Sequence, residues 1–438
     1  MIAGASTIGQ SVSQPLTNPK RVLLVEPSAS GHHMALYLRH VVKGLAREGI
    51  EISLLTTKHA TEDPAYQLVQ AELPANSVVH LFQTASASSK TTAAALLKNQ
   101  FFNWWKLRQA VKKLAATDSP DIAYIPTVDW VAKAVEVLGS PFRNLPFVVL
   151  YMSPKHHRFV SGIGPKGRSD VVYDKLFKRL LRVPTLRKVL VIDEIFYEFA
   201  KGRYGALSRK IGFAPDFGVT ESKIPRPSAR EKIGIPESKK VILVYGSLTR
   251  RKGIWELLDA LAEDGAPQDV CVLLAGRPSA QLEELMKRPK YTALKQAGRL
   301  VTQFKFHDSN EERDVFSASD TVWIAYVDGF YGSSGVLHQA VLYGLPVIAN
   351  GKGLIGELVA RFGLGVNLNP RNKEAVIEAL RSFPGGELPA TRIARKLDGF
   401  KQRYSDEEHF SAVLLALQLG HSPIIESQIT TRSWGEQL

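Results

Sequence analysis

The stretch that decides the fold begins with an apolar strand pattern, Val241-Ile242-Leu243-Val244-Tyr245, and this pattern ends at Gly246. A short turn follows that carries three consecutive cations, Arg250-Arg251-Lys252, and closes at Gly253. Apolar residues then recur at helical spacing from Ile254 to Leu261. A buried strand, a glycine-flanked turn and a helix in this order are typical of a doubly wound α/β domain, which binds its ligands at the carboxyl ends of the strands.

The same alternation of strand and helix patterns extends over most of the chain. Short apolar runs predict strands at residues 22–25, 50–55, 78–82, 122–125, 147–151, 189–192, 241–245, 270–275, 322–325 and 347–349. Helical spacing between them, for example at residues 34–45 and 335–343, indicates parallel sheets that are covered on both faces. The fold class that we expect is α/β, with two doubly wound Rossmann-like domains facing each other across a cleft.

A polar, proline-rich stretch between the two blocks indicates a connection between domains. Ser405-Asp406-Glu407-Glu408 has the form of a capping box and predicts the start of a late helix. The predicted organisation is a disordered leader at 1–19, a first Rossmann-like domain at 20–212, a linker at 213–239, a second Rossmann-like domain at 240–400, a C-terminal helix at 401–420 and a tail at 421–438.

Composition limits the class of protein and of partner. The 438 residues are 45% hydrophobic, which excludes a disordered class, and the net charge of +14 suggests a partner that carries phosphate or a lipid headgroup. Residues 155–210 concentrate this charge, with 14 Lys or Arg against five Asp or Glu. The chain shows no apolar run of membrane-spanning length, no secretory signal and no nucleic-acid recognition module. We therefore expect a cytoplasmic protein without a nucleic-acid partner.

A second loop carries the features of an anion site. After the strand pattern that ends at Tyr326 comes Asp328-Gly329-Phe330-Tyr331-Gly332-Ser333-Ser334-Gly335, and a helix pattern follows at once. The free amides of the first helical turn, the positive end of the helix dipole and two hydroxyl groups favour a bound anion there. With the cations of the turn after Tyr245, this loop predicts that a diphosphate binds between the two segments.

These residues resemble the retaining nucleotide-sugar glycosyltransferases of the GT-B fold, the group that includes glycogen synthase, sucrose synthase and mannosyltransferases. The resemblance covers about two thirds of the chain, over residues 23–57, 245–260, 275–278, 306–320 and 335–349. It implies a nucleotide-diphosphate sugar as co-substrate, no other cofactor and no metal. It also implies that the late helix packs back on the first domain.

Roles implied by the resemblance fall on particular residues of the second half. Lys252 matches the lysine that contacts the donor diphosphate, whereas the arginine usual after Gly246 is Ser247 here, so Arg250 or Arg251 substitutes. The glutamate that holds the ribose matches Gln339, and the acid near the donor sugar aligns with Asp328 when the loop has about three extra residues. The remaining donor contacts are expected from Ser333, Ser334, Gly335 and Glu357.

The first domain supplies the expected acceptor contacts. Gly31, His32 and His33 lie in the small-residue loop after the first strand, where the family places glycines that approach the sugar and the acceptor. His156 follows a later strand and is expected to bind the acceptor as well. We assign catalysis to Lys252 and Arg251 on the leaving group, with Asp328 and His32. A packing role for the histidines stays open.

Residues 98–108 suggest binding to a membrane surface. On a helix, Phe102 and Trp105 share a side, and Lys and Arg flank them, which suits a lipid headgroup region. A helix packed on the sheet with solvated cations is the alternative.

We expect a metal-independent retaining glycosyltransferase, of the hexosyltransferase type, that transfers a sugar to a glycan or glycolipid acceptor in cell-surface polysaccharide or lipopolysaccharide assembly. Two alternatives stay open: an epimerase or hydrolase of nucleotide sugars with the same fold, and a degenerate, non-catalytic partner protein.

Overall fold

The structure is a computed structural model that describes residues 17–28, 33–85, 92–219, 221–327, 329–382 and 398–418. Two parallel sheets organise it. The strands are β1 (Arg21–Val25), β2 (Glu51–Thr56), β3 (Val78–Leu81), β4 (Ile122–Ile125), β5 (Phe147–Tyr151), β6 (Leu186–Val191), β7 (Ile211–Phe213), β8 (Lys240–Tyr245), β9 (Val270–Ala275), β10 (Leu300–Gln303), β11 (Thr321–Ile324), β12 (Val347–Asn350) and β13 (Gly365–Leu368). The first sheet has the order β3-β2-β1-β4-β5-β6-β7 and the second β10-β9-β8-β11-β12-β13.

Helices connect the strands, as the sequence predicted. The described α-helices are α1 (Arg39–Arg47), α2 (Lys58–Thr61), α3 (Pro64–Gln70), α4 (Ala93–Leu114), α5 (Ala132–Leu138), α6 (Asp170–Leu181), α7 (Glu194–Arg203), α8 (Arg226–Ile233), α9 (Ile254–Leu261), α10 (Ala280–Leu285), α11 (Pro289–Gln296), α12 (Ser309–Ser317), α13 (Gly335–Leu342), α14 (Gly353–Phe362), α15 (Lys373–Ser382) and α16 (Asp406–Leu417). The helix predicted from residue 34 instead opens as a π-helical turn, His33–Leu38, before α1.

The two faces of the second sheet bury alternate residues of β8. Val241 and Leu243 pack in a core that includes residues of α13 and α14. Ile242 and Val244 pack on the other face, in a core that includes residues of α9 and α15. All four side chains are fully buried. Each contributes about 1.5–3 kcal/mol to folding, which explains why a continuous apolar run stands at the centre of this sheet.

The predicted linker at 213–239 is not a loop throughout. Residues 226–233 form α8, which buries Arg230 to 2% exposure. The Arg230 guanidinium donates to the Ala318 carbonyl at 3.0 Å and to the Asp320 carboxylate at 2.7 Å. We interpreted the prolines of this stretch as a sign of an irregular connection between domains. Pro227, however, occupies the first turn of α8, where a helix does not need the amide proton that proline lacks.

The described residues form two compact units. The first takes in the described residues up to Val149, Val183–Lys188 and those from Ala412 onward. The second takes in Leu150–Arg182 and Val189–Ser411, and so includes the segment after β5. Ser405 caps the late helix as predicted, since its hydroxyl accepts the Glu408 amide at 3.1 Å. The predicted domain boundaries themselves stay a prediction, and the leader up to residue 16 and the tail from residue 419 lie outside the described residues.

Candidate anion-binding site

The strand order of the second sheet fixes where a ligand can bind. β8 and β11 are neighbours at its centre, and the chain continues outward from them in opposite directions. Loops that leave the carboxyl ends of two such strands diverge and open a crevice. Here they are the segment 246–253 and the described residues of 325–334, which exclude residue 328. A backbone hydrogen bond from the Val327 amide to the Arg251 carbonyl, at 2.8 Å, joins the two loops directly.

Lys252 lies on the first of these loops, in the turn after β8. Only 3% of the residue is exposed. Its Nζ donates to the Tyr245 carbonyl at 2.5 Å and to the Tyr326 hydroxyl at 3.4 Å. These are its two partners among the described residues, and since an ammonium group has three N–H donors, a third can serve a ligand. Gly246 faces this ammonium group with a positive φ of 93°, a backbone conformation that favours glycine.

Tyr326 connects the cation to the start of a helix. Its hydroxyl lies 2.9 Å from the Ser334 hydroxyl as well as 3.4 Å from Lys252. Ser334 occupies the N-cap of α13, yet no side chain caps the helix. The first-turn amides from Gly335 onward therefore lack the side-chain acceptor that a capping serine normally supplies. The structure thus brings together the ammonium group and the uncapped helix start, two features that favour an anion.

The two arginines of the cationic turn point to different neighbours. The Arg251 guanidinium stacks 4.5 Å from the ring centroid of Phe330 and 5.1 Å from that of Tyr326, on the second loop. Arg250 forms a bidentate ion pair with Glu256 of α9. The structure therefore groups Arg251 with Lys252, and the charge of Arg250 is balanced elsewhere.

Ser333 has a partner that the sequence did not indicate. Its hydroxyl donates to the carboxylate of Asp216, which is 4% exposed and comes from the segment after β7. The same carboxylate lies 3.5 Å from Nε2 of the buried His338. Ser333 is thus held in place by a negative group. Nothing in the local sequence, an aspartate after a proline, distinguishes Asp216 from an ordinary turn residue.

Gln339 and Glu312 form a half-buried polar pair. The Gln339 amide donates to the Glu312 carboxylate and to the Val219 carbonyl, the latter at 3.1 Å. The Tyr245 hydroxyl donates to the other Glu312 oxygen at 2.8 Å. Burial raises the pKa of Glu312 above its ordinary value. A carboxylate therefore stands beside the position at which the resemblance leads us to expect one, although it belongs to α12.

Within the described residues, the structure does not connect Glu357 or Asp328 to the anion-binding site. Glu357 lies on α14 and faces Arg361 of the same helix, with 3.5 Å between Oε1 and Nη2. Asp328 lies outside the described residues. The donor role of Glu357 and the catalytic role of Asp328 stay predictions.

The loops after β1 and β4 occupy the matching position in the first sheet, where β1 and β4 are neighbours. Glu26 is fully buried there, and accepts from the Thr127 hydroxyl at 2.7 Å and from the Ser28 amide at 2.9 Å. Burial raises the pKa of Glu26 to about 7. His33 stacks on Tyr37, with 6.5 Å between ring centroids. Gly31 and His32, which we predicted to contact substrate, lie outside the described residues.

His156 is mostly buried in an aromatic cluster. It is 7% exposed, its Nε2 lies 2.8 Å from the Tyr204 hydroxyl, and its ring contacts Phe196 edge-on at 5.3 Å. It also lines a surface cavity of about 450 Å³ together with Phe159, Lys166 and Arg168. These contacts favour packing as its main role, and its acceptor role stays a prediction.

We searched the described part of the chain for groups that could bind a metal ion and for helices that could span a membrane. No group of three or more His, Cys, Asp or Glu side chains there is arranged to hold a metal ion. Among the same residues, no helix has the length and apolarity to cross a bilayer. On α4, Phe102 and Trp105 are both exposed, and Lys106 lies over both rings at 5.4 and 5.1 Å.

Comparison with known proteins agrees with this geometry. The family model described as "Glycosyl transferases group 1" matches residues 225–395. The chain is 28% identical over 190 residues to the D-inositol 3-phosphate glycosyltransferase of Corynebacterium urealyticum, a match that covers 41% of this chain and 43% of that protein. The match thus spans less than half the length of this curated relative.

Solved structures contain the same two parallel-sheet domains. A glycosyltransferase from Rickettsia africae superposes with a TM-score of 0.63 at 17% identity, over 92% of this chain and 98% of that chain. HepE from Anabaena, solved with UDP and glucose, superposes with a TM-score of 0.60 at 18% identity, over 91% and 99%. These likenesses establish the fold, which is GT-B with two Rossmann-like domains as predicted.

Proposed function

Residues 225–395 belong to the glycosyl transferases group 1 family, and on that premise we propose that the protein transfers a sugar from a nucleotide-diphosphate donor to a glycan or glycolipid acceptor. The observation that carries the proposal is the Tyr326 hydroxyl, which joins the Lys252 ammonium group to the start of α13. A diphosphate bound there meets a cation on one side and uncapped backbone amides on the other. Negative charge that develops on the leaving diphosphate is stabilised by both.

The proposed reaction needs no metal and no dedicated nucleophile from the chain. The C1–O bond to the diphosphate breaks while an acceptor hydroxyl attacks the same face of the sugar and gives its proton to the departing phosphate oxygen, so the anomeric configuration is retained. Lys252, Arg251 and the amides near Gly335 take up the charge of the departing phosphate. The first domain binds the acceptor, and exclusion of water prevents hydrolysis of the donor.

The decisive experiment is a binding and turnover panel. UDP, GDP and ADP are tested by calorimetry with the purified chain, and the sugar nucleotides of the base that binds are then incubated with and without acceptors. Transfer that requires an acceptor supports the proposal. Product formed from the donor alone favours an epimerase or hydrolase instead. A chain that binds none of the nucleotides favours the non-catalytic alternative, for which Gln339 at the expected carboxylate position is the supporting observation.

We also propose that α4 attaches the protein to an anionic membrane surface, as suits a lipid-linked acceptor in cell-surface polysaccharide or lipopolysaccharide assembly. Phe102 and Trp105 are exposed beside Lys106, and rings and cations so arranged favour the headgroup region of a bilayer. Sedimentation with anionic vesicles at low salt tests this. The Phe102→Ser/Trp105→Ser variant should lose the binding, and equal sedimentation of both proteins would contradict it.

A further inference from the structure

Arg158 comes from the loop after β5, far in sequence from either loop of the anion-binding site, but it belongs to the same compact unit. Its guanidinium lies over the ring of Tyr331, 5.6 Å from the centroid. A Cβ atom built on Gly332 would lie 4.0 Å from Nη2 of Arg158. The guanidinium therefore stands beside the backbone that immediately precedes Ser333 and Ser334.

Residues that come soon after Arg158 in the chain hold the loop after β5 in place. The Ile163 carbonyl accepts the amide of Gly353, the first residue of α14, at 2.9 Å. Ile163 is 7% exposed and packs in the same core as Leu354 and Ile355. A Cβ atom on Gly164 would lie 3.3 Å from the Tyr331 ring. The position of Arg158 against the site is thus set by a buried apolar anchor and a backbone hydrogen bond.

One donor of the Arg158 guanidinium is unpaired within the described residues. Its Nε is buried and has no hydrogen-bond partner within the described part of the chain. Burial lowers the pKa of Arg158, while Asp193, Tyr331 and Asp170 act against this from a distance. A buried donor without a hydrogen-bond partner costs stability. A bound ligand that accepts a hydrogen bond from the donor removes this cost.

Resting on the proposed function, we propose that Arg158 is a further diphosphate-binding residue, whose guanidinium contacts a phosphoryl group held at Ser333–Gly335. Arginine suits this position because its planar fork pairs with two phosphate oxygens at once. The diphosphate is then bounded by Lys252 and Arg251 from the turn after β8 and by Arg158 from the loop after β5.

The test compares Arg158→Gln with a matched control, Arg182→Gln, which removes the same charge from an exposed arginine further along the basic segment. Calorimetry gives the affinity for the nucleoside diphosphate that wild type binds among UDP, GDP and ADP, and for the parent nucleoside. We expect Arg158→Gln to weaken the diphosphate about tenfold, as for loss of one charge-assisted contact, and to leave the nucleoside unchanged. Arg182→Gln should bind both like wild type.

Equal diphosphate affinity in Arg158→Gln and wild type would overturn the inference and leave the proposed function standing. Failure of wild type to bind any of the three nucleotides would overturn the proposed function, and the inference with it. Circular dichroism and the melting temperature report whether each variant folds. If Arg158→Gln does not fold, the Arg158→Lys variant is the deciding test, because lysine keeps the charge but cannot form a bidentate contact. Diphosphate binding that is at least threefold weaker, on the order of 0.7 kcal/mol, supports the inference. Unchanged diphosphate binding overturns it.

Discussion

The hydroxyl groups of Tyr326 and Ser334 lie 2.9 Å apart, and this hydrogen bond spans the end of β11 and the start of α13. Because the same Tyr326 hydroxyl also reaches Lys252, one phenol links the cationic turn to the helix that follows the second loop. The arrangement occupies the Ser334 hydroxyl, which would otherwise cap α13, and so keeps the helix start free for an anion.

Replacing Tyr326 by Phe removes this link alone. The ring that supports Arg251 stays, but Lys252 and Ser334 lose their shared partner. We expect about fivefold weaker binding of the nucleoside diphosphate, and about 1 kcal/mol less free energy of unfolding, the usual value of one hydrogen bond. Calorimetry and urea unfolding measure the two effects. Wild-type affinity in a folded Tyr326→Phe protein would show that the link does not shape the site.

Lys252→Met keeps the length of the side chain and removes its charge. We expect sugar transfer to fall at least about a hundredfold, because charge on the leaving diphosphate loses its main cation. The melting temperature should change less, although the Tyr245 carbonyl loses a donor. Lys287→Met, at a largely exposed side chain, is the control and should transfer at the wild-type rate. A Lys252→Met protein with wild-type turnover would remove the proposed diphosphate site.

Glu26 makes stability depend on pH. Burial raises its pKa from 4.5 to about 7, so between these values the folded chain holds a proton that the unfolded chain releases. The resulting stabilisation is complete below pH 4.5 and is lost as the pH rises through 7. Relative to Glu26→Gln, wild type should lose up to about 3 kcal/mol over this range. Urea unfolding at several pH values measures the difference between the two proteins, and a constant difference would contradict the prediction.

Gln339→Glu places a second carboxyl group against Glu312, whose pKa partial burial already raises. We expect it to cost about 2–3 kcal/mol at pH 8 and less at pH 5, because protonation of one member relieves the repulsion. The double variant Glu312→Gln/Gln339→Glu exchanges the two groups and should recover most of the loss. Thermal melting of the wild type, both single variants and the double variant checks this. No recovery in the double variant would argue against a direct interaction of the pair.

Gly276→Ala tests how closely the loops after β8 and β9 approach. A Cβ atom on Gly276 would lie 1.8 Å from the Gly246 carbonyl oxygen, so the backbone must move. We expect a loss of more than about 3 kcal/mol of stability, together with loss of nucleotide binding. Gly298→Ala is the control, since it also has a positive φ but open space around it, and should cost about 1 kcal/mol. Equal melting temperatures for the two variants would contradict the close approach.

The buried strands were the most predictable part of the fold. Residues 122–125, 147–151 and 270–275 are strands with the predicted bounds, because each is a continuous apolar run whose two faces are both covered. The sequence did not reveal β7, β10 and β13. All three are short, partly exposed strands at the edges of the sheets, where fewer side chains need to be apolar.

The site was predictable only as separate segments. Lys252 and Ser334 follow strand patterns, so each was expected at a carboxyl edge, but the neighbouring positions of β8 and β11 depend on strand order. Tyr326 looked like the last apolar residue of a strand, and its hydroxyl gave no local signal. The pairing of Gln339 with Glu312 is likewise set by tertiary packing, and that of Arg250 with Glu256 depends on the local conformation of the turn before α9.

The hydrogen bond between Ile163 and Gly353 bears on how the chain can be dissected. Residues 150–182 precede the connection to the second half in sequence, yet they cover Tyr331 and the beginning of α14. A fragment that starts after β7 would expose that apolar surface to water and invite aggregation. Expressing the carboxy-terminal half as an independent protein therefore requires grafting the earlier peptide onto it, for example by circular permutation, instead of a single truncation.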